Sequence, residues 1–124
     1  MQMYLELCKT IAGDFFVSVP SGGDCYILKS VLHDWNDNSA IKILRNVREK
    51  MNEKSKLLII ESLLPAGNVS HPSKVLDLHL MAVCEGKERT LSDFKKLITQ
   101  CDLKLNKVIT LPVCLTDIIE VVIS

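Results

Sequence analysis

Two short, almost continuously apolar runs constrain the fold of this chain most strongly. The first is Tyr26-Ile-Leu-Lys-Ser-Val-Leu32, and the second is Leu57-Leu-Ile-Ile60, which is followed by Glu61. Such runs are typical of strands buried on both faces of a parallel sheet, because strands with one solvated face alternate apolar and polar residues. We therefore predict two parallel strands at residues 26–32 and 57–60.

The residues between these runs predict a helix that connects the two strands. Apolar residues recur there at steps of three and four, which places them on one side of a helix. They are Ala40, Ile43, Leu44, Val47 and Met51. Either Asn36 or Asp37 is a suitable N-cap. A strand, a helix and a second strand form a βαβ unit, which should have a right-handed crossover.

The remaining segments predict an α/β domain with a mixed sheet. Residues 73–84 are apolar on most sides of a predicted helix, and Thr90-Leu-Ser-Asp93 resembles a capping box in front of a third helix. Residues 104–111 and 116–122 predict two strands, and their short connection favours an antiparallel hairpin. The stretch up to Gly13 allows a further strand that ends near Asp14.

Charge and hydropathy exclude two classes of partner. The chain has 15 Lys and Arg residues and 15 Asp and Glu residues, so it lacks the basic surface on which nucleic-acid binding depends. Its apolar residues are spread over short runs, and none approaches the ~18 residues of a membrane span. Glu6 within the apolar start does not fit a secretory signal. We therefore expect no nucleic-acid partner and no membrane partner.

The cysteines and histidines predict neither a disulfide framework nor a metal site. The five cysteines are an odd number without a C-x-x-C pair, which is typical of reduced thiols in a cytoplasmic protein. Cys25 and Cys114 lie in apolar runs and are predicted to be small core residues. His71 and His79 are eight residues apart and lack neighbours at ligand spacing.

Ionisable residues follow the predicted strands. His33-Asp34-Trp35 follows the first strand directly, Glu61 ends the second, and Asp14 lies where the earlier segment would end. The carboxyl ends of parallel strands meet at one edge of an open α/β sheet, where ligands bind. The position of these residues is therefore suited to general acid–base chemistry.

Position alone leaves structural interpretations open. His33 can be a hydrogen-bonded histidine at a strand end. Glu61 can be a solvated glutamate at the end of the second strand. Asp34 can begin a helix, and Trp35 can anchor the core. Gly22-Gly23 is more typical of a turn than of a phosphate loop, because it fits neither G-x-G-x-x-G nor G-x-x-x-x-G-K-[ST].

Five short motifs then occur in a familiar order. They are Gly13-Asp-Phe-Phe16, Tyr26-Ile-Leu-Lys29, Leu32-His-Asp-Trp35, Ile59-Ile-Glu-Ser62 and Gly86-Lys-Glu-Arg-Thr90. Together they resemble the S-adenosylmethionine-dependent small-molecule O-methyltransferases of the plant caffeic-acid and hydroxyindole type. The resemblance covers nearly all of the chain from about residue 10 onward. It implies the mixed, Rossmann-like sheet of a class I methyltransferase, which ends in an antiparallel hairpin.

The resemblance also implies catalytic roles. His33 would be the general base that takes the proton from the hydroxyl of a small, aromatic acceptor. Glu61 and Glu88 would flank His33, hold its ring and favour its charged form. Glu88 lies between Lys87 and Arg89, so without the motif it would belong to a solvated run of charges.

The resemblance assigns five further residues to the cofactor, S-adenosylmethionine, with no metal. Asp14 and Phe15 would lie beside its adenine, and Lys29 would approach it from the strand. Asp34 and Trp35 would belong to the same cofactor-side corner.

The family's glycine-rich cofactor loop, its acidic ribose-binding residue and its helical dimerisation region precede the part that matches, and these 124 residues contain none of them. We therefore expect residues 1–124 to form the C-terminal part of a catalytic domain that is inactive alone. Glu85, His79 and Asp102 depart from the family pattern in the substrate region and after the third helix.

The missing half has a physical consequence. The resemblance implies that the strand at residues 26–32 would pair on both sides in the family's intact fold, and an apolar strand with a free edge can pair with another chain. We expect self-association through this edge, or association with the missing half. A non-catalytic remnant or interaction fragment of this fold is the alternative function. A nucleotide-dependent oxidoreductase is not predicted, because the sequence contains no dinucleotide-binding fingerprint.

Overall fold

The computed structural model describes residues 8–63, 89–111 and 116–124. Its helices and strands follow the predicted order. The strands are β1 (Cys25–Lys29), β2 (Lys56–Glu61), β3 (Leu103–Thr110) and β4 (Asp117–Ile123). The helices are α1 (Asp37–Lys50) and α2 (Leu91–Gln100), and a short 3-10 helix at Leu32–Asp34 precedes α1.

The four strands form one mixed sheet in the order β1-β2-β4-β3. β1 and β2 are parallel, with Tyr26 opposite Leu57 and Leu28 opposite Ile59. This pairing confirms the predicted βαβ unit. β4 is antiparallel to both β2 and β3, which confirms the predicted terminal hairpin and the α/β class.

Side-chain caps fix the start of both α-helices. Asn36, one of the two predicted caps of α1, accepts a hydrogen bond from the Ser39 amide at 2.9 Å. At α2, Thr90 accepts from the Asp93 amide while the Asp93 carboxylate accepts from the Thr90 amide, which confirms the predicted capping box. These bonds satisfy amides at the helix N-terminus that have no partner within the helix.

The core lies between one face of the sheet and the two α-helices. The sheet contributes Leu57, Ile59, Ile119 and Val121, all fully buried. The helices contribute Ala40, Ile43, Leu44, Val47, Phe94, Leu97 and Ile98. Every apolar residue predicted for the inner side of α1 is therefore buried, including Met51, which follows its last turn at 7% exposure.

The first predicted strand is shorter and more exposed than expected. β1 ends at Lys29 because Ser30 adopts a left-handed conformation with φ 55°, and Leu32 belongs to the 3-10 helix. Ile27 is 60% exposed, so β1 is not buried on both faces. Cys25, predicted as a core residue, is exposed. Burial on both faces would require further helices or strands packed against β1. The described residues cover only one face of this strand.

Two other expectations have different outcomes. No strand ends near Asp14, because residues 8–14 form no regular structure and a turn follows at residues 15–17. The turn at Gly22-Gly23 is confirmed, since Gly22 has φ 87° shortly before β1. The predicted helix at residues 73–84, together with His71, His79, Glu85 and Cys114, lies outside the described residues. Within the described part of the chain, no helix is long and apolar enough to cross a membrane.

Candidate active site

His33 and Glu61 meet at the edge of the sheet where the parallel strands β1 and β2 end. His33 lies in the 3-10 helix that follows β1, and Glu61 is the last residue of β2. Ser30 bridges the two strand ends, because its amide donates to the Ile60 carbonyl at 3.0 Å. The parallel register therefore brings together two side chains that are 28 positions apart.

The two side chains form a close, largely buried pair. His33 Nδ1 lies 2.8 Å from Glu61 Oε2, and the His33 backbone amide donates to Glu61 Oε1 at 3.4 Å. The Glu61 side chain is 1% exposed and the His33 ring 20%. An ionised Glu61 can only accept hydrogen bonds, so Nδ1 then carries a proton, and in the neutral form of the ring Nε2 holds the lone pair. Glu61 is therefore not a solvated strand end.

The outer nitrogen of the ring faces a second carboxylate. His33 Nε2 lies 3.2 Å from Asp34 Oδ1, and Asp34 is half-exposed. The family resemblance implied that Asp34 lies on the cofactor side and that Glu88 is the second carboxylate beside His33. Glu88 lies outside the described residues. In the described part, the carboxylates beside the ring are those of Glu61 and Asp34, and both stabilise a charged imidazole.

Burial changes the acidity of Glu61. Removal from water raises the pKa of the Glu61 carboxyl above its ordinary value, and the hydrogen bond and charge of His33 oppose that rise. The charge of Arg89 opposes it further. A proton bound between Glu61 and His33 is therefore held more tightly than by a solvated carboxylate.

An aromatic cluster lies beside this corner and contains two residues predicted to be functional. Trp35 contacts Phe15 and Phe16 edge to face, at ring-centroid distances of 6.4 Å and 4.8 Å. Asn46 of α1 donates to the Phe15 carbonyl at 2.7 Å. Asp14 accepts the Phe16 amide at 2.9 Å and is itself exposed. These contacts hold residues 14–16 against Trp35, directly after the His33 turn.

Lys29 lies apart from the other predicted cofactor residues. It is exposed at the end of β1, on the face of the sheet opposite Leu28. No hydrogen bond or ion pair between described residues joins it to His33 or to the aromatic cluster.

Arg89 is a residue of this corner that sequence analysis missed. It was assigned to a run of charges, yet its side chain is fully buried. Its guanidinium donates to the carbonyls of Leu32 and Trp35 and to the Asp37 carboxylate. The only sequence signal was its place in the Gly86-Lys-Glu-Arg-Thr90 motif, because charge alone predicts exposure.

The described residues contain no group of three or more His, Cys, Asp or Glu side chains arranged to hold a metal ion. The expectation of a metal-free site stays a prediction.

A family model and individual relatives place this chain in the same protein family. Residues 4–103 match the O-methyltransferase domain family. The chain is 46% identical, over 104 residues, to the phenazine O-methyltransferase PhzM of Lysobacter antibioticus, which covers 84% of this chain and 30% of that protein. The chain thus spans about three tenths of the length of the curated relatives that it matches.

Solved structures agree with this match. The crystal structure of LaPhzM superposes with a TM-score of 0.89 at 40% identity, over 99% of this chain and 38% of that one. The methyltransferase NcsB1, solved with S-adenosylmethionine and 2-hydroxy-5-methyl naphthoic acid, superposes with a TM-score of 0.84 at 30% identity, over 99% and 37%. The four-stranded mixed sheet is accordingly part of a class I methyltransferase fold, and the chain belongs to the family of S-adenosylmethionine-dependent O-methyltransferases.

Proposed function

We propose that this chain forms the C-terminal, base-bearing part of a methyltransferase domain that methylates a hydroxyl of a small aromatic molecule, with His33 as the general base. The observation that carries the proposal is the 2.8 Å contact between His33 Nδ1 and the buried Glu61 carboxylate. A carboxylate on the inner ring nitrogen fixes the tautomer and leaves the outer nitrogen to accept a proton. The family match supplies the reaction class.

The proposed step moves one proton and one methyl group. The acceptor hydroxyl gives its proton to His33 Nε2 while its oxygen forms a bond to the methyl carbon, and the carbon–sulfur bond breaks with its electron pair on sulfur. A neutral phenol has a pKa of ~10 and is a weak nucleophile, whereas imidazole accepts protons near neutral pH. The acceptor hydroxyl would take the place of Asp34 Oδ1 beside Nε2.

Glu61 holds the ring through the step and stabilises the imidazolium that forms. Its burial strengthens this interaction, because a carboxylate shielded from water attracts a charged ring more strongly than a solvated one. Glu88 is proposed as a further carboxylate beside the same histidine.

The residues present fit one side of a cofactor site. The cluster of Phe15, Phe16 and Trp35 provides aromatic surface of the kind that an adenine ring contacts, and the exposed Asp14 carboxylate adjoins it. Asp14, Phe15, Lys29, Asp34 and Trp35 would hold S-adenosylmethionine, which supplies an electrophilic methyl group when bound. The glycine-rich loop that would complete this site is not among the 124 residues, so we propose that the chain alone is inactive.

Two relatives suggest acceptors for a test. One is named a phenazine O-methyltransferase, and another is solved with a hydroxynaphthoic acid. We would measure radiolabelled methyl transfer to a hydroxyphenazine and a hydroxynaphthoic acid. The samples are the 124-residue chain alone and the chain joined to the preceding part of the Lysobacter relative. Only the joined protein should be active.

Substitution of the base tests its role in that joined protein. The His33→Gln variant should lose roughly 10²–10⁴-fold in turnover, the size of a general-base contribution. A Glu120→Gln variant, changed at a buried carboxylate opposite Leu58 of β2, is the control. Near-normal turnover by His33→Gln would remove His33 from the role. A joined protein that binds S-adenosylmethionine but never transfers its methyl group would support the non-catalytic alternative.

The two edges of the described sheet support a further proposal, self-association through β1, while a cytoplasmic location stays a prediction from the cysteines. The edge strand β3 carries lysines and a bulge between Leu105 and Lys107, features that protect an edge from pairing. β1 is short and presents Ile27 at 60% exposure. Light scattering at high micromolar concentration should show dimers or larger species, and Ile27→Lys should reduce them more than Ile109→Lys. A monodisperse monomer would contradict this proposal.

A further inference from the structure

We propose that Arg89 is a positioning residue, which fixes the turn that carries His33 relative to the strand that carries Glu61. This inference rests on the proposed function for its catalytic meaning, but its test does not depend on methyl transfer. The backbone of Arg89 forms a parallel bridge with Leu63, two residues beyond Glu61. Its side chain reaches the other element of the pair, the turn after β1.

The guanidinium binds the turn on both sides of His33. Nη1 donates to the Leu32 carbonyl at 2.9 Å, and Nη2 donates to the Trp35 carbonyl at 2.8 Å. Inside this turn, the Asp34 amide donates to Val31 and the Trp35 amide donates to Leu32, both at 3.2 Å. These internal bonds lie at the upper end of the normal N–O range, and the buried donors of Arg89 add two shorter bonds to the same turn.

One carboxylate orients the arginine itself. Asp37, the first residue of α1, accepts from Nε at 3.1 Å and from Nη2 at 3.0 Å through its Oδ1 oxygen. The ring of Phe94 lies 5.9 Å from the guanidinium carbon. Arg89 therefore joins the end of β2, the His33 turn, the start of α1 and the side of α2.

The pairing of His33 with Glu61 depends on this junction. The two residues belong to different elements, and a displacement of about 1 Å would break a 2.8 Å contact. A lysine cannot replace the junction, because one ammonium cannot reach the two carbonyls and the carboxylate as a planar fork does. Arg89 touches neither reacting atom in this arrangement, so it acts through the histidine.

The test uses the 124-residue chain and nuclear magnetic resonance. The hydrogen-bonded Nδ1 proton of His33 is expected as a downfield, slowly exchanging signal that disappears in His33→Gln. In Arg89→Lys this signal should broaden or vanish, and the Asp34 and Trp35 amides should exchange at least tenfold faster. The amides of Ile43 and Leu44 in α1 should exchange at nearly unchanged rates, since a purely global loss of stability would accelerate all four.

Arg48→Lys is the matched control. Arg48 also donates from Nε to a backbone carbonyl, that of Asp102 at 3.1 Å, but it lies away from the His33 turn. This variant should keep the His33 signal and the exchange rates of the turn. Arg89→Met is expected to show the larger loss, and if it does not fold, Arg89→Lys alone decides.

The inference is overturned if Arg89→Lys keeps the His33 proton and the turn amides as Arg48→Lys does. Because no methyl transfer is measured, failure here is distinct from failure of the proposed function. An intact positioning effect together with near-normal turnover by His33→Gln in the joined protein would leave Arg89 in its role and remove His33 from the chemistry.

Discussion

Two glutamates with buried side chains, Glu61 and Glu120, lie in the same sheet, but the pKa values of their carboxyls are shifted in opposite directions. Glu61 ends β2 and is 1% exposed, and burial raises the pKa of its carboxyl. Glu120 lies in β4 and is 5% exposed, yet the hydrogen bond from Asn106 lowers the pKa of its carboxyl. The partners of both carboxyls lower the pKa, but at Glu61 the loss of hydration outweighs them, whereas at Glu120 the hydrogen bond from Asn106 outweighs the loss of hydration.

The partners of Glu120 stabilise only its charged form. The Asn106 amide donates to Oε2, and the Lys56 ammonium lies 3.5 Å from Oε1. Asn106 lies at the bulge of β3, which brings its side chain to the neighbouring strand. Both partners donate to the carboxylate, and Asn106 joins β3 to β4 in this way, so this cluster has a structural role in the hairpin.

The partner of Glu61 can exchange a proton with it. His33 carries an imidazole, a group that can both bind and release a proton, and it approaches Glu61 with both a ring nitrogen and its backbone amide. The comparison teaches that burial of a carboxylate does not by itself indicate function. What distinguishes Glu61 as the candidate catalytic residue from the structural Glu120 is its ionisable partner and its position at the carboxyl ends of parallel strands.

The largest expected effect concerns turnover. In the joined protein described above, Glu61→Gln should reduce turnover roughly 10²–10⁴-fold, because a neutral amide can donate to Nδ1 as well as accept from it and does not stabilise the charged ring. Glu120→Gln should leave turnover unchanged. Equal losses in the two variants would abolish the distinction between the two carboxylates.

The second-largest expected effect is a different pH dependence of folding stability for the Glu61 and Glu120 variants. Since its folded-state pKa is raised, Glu61 contributes stability that is fully present below its ordinary pKa and lost as the pH rises through the folded value. Each unit of raised pKa corresponds to about 1.4 kcal/mol. The melting temperature of Glu61→Gln relative to the unsubstituted chain should therefore increase from pH 4 towards pH 8. A constant difference would show that Glu61 ionises normally.

Glu120 should show the smallest effect, with the opposite sign. Its lowered pKa contributes stability above the ordinary value that is lost as the pH falls through the folded value. Glu120→Gln should therefore melt below the unsubstituted chain at pH 7, and the difference should disappear towards pH 3. Thermal unfolding at both values checks this, and a deficit that grows in acid would contradict it.

Most of the fold was predictable because local patterns and tertiary burial agree. The stripe from Ala40 to Met51 required α1, and the Asn36 and Thr90 caps set where the helices begin. The exposure of β1 was not predictable from composition, because Tyr26, Ile27 and Leu28 would suit a strand covered on both faces. Burial depends on which elements are present, and a strand's own residues do not reveal that.

The candidate site was predictable in part. The positions of His33 and Glu61 followed from the parallel βαβ unit, since that topology places both strand ends at one edge. The resemblance to the methyltransferase family was needed to assign them a chemistry. Asp34 beside Nε2 and the burial of Arg89 escaped prediction, because both depend on how a short turn is oriented.

The sequence by itself determined the order of strands and helices, the helix caps, the parallel pair of strands and the edge where polar residues collect. These follow from periodicity and from hydrogen bonds between near neighbours in the chain. Only the tertiary structure decided which carboxylate faces which ring nitrogen, and that a charged arginine is buried between the two elements. Apart from the contact of His33 with its neighbour Asp34, these contacts join residues 28 to 57 positions apart, so no local pattern encodes them, and the packing of several elements together fixes their distances.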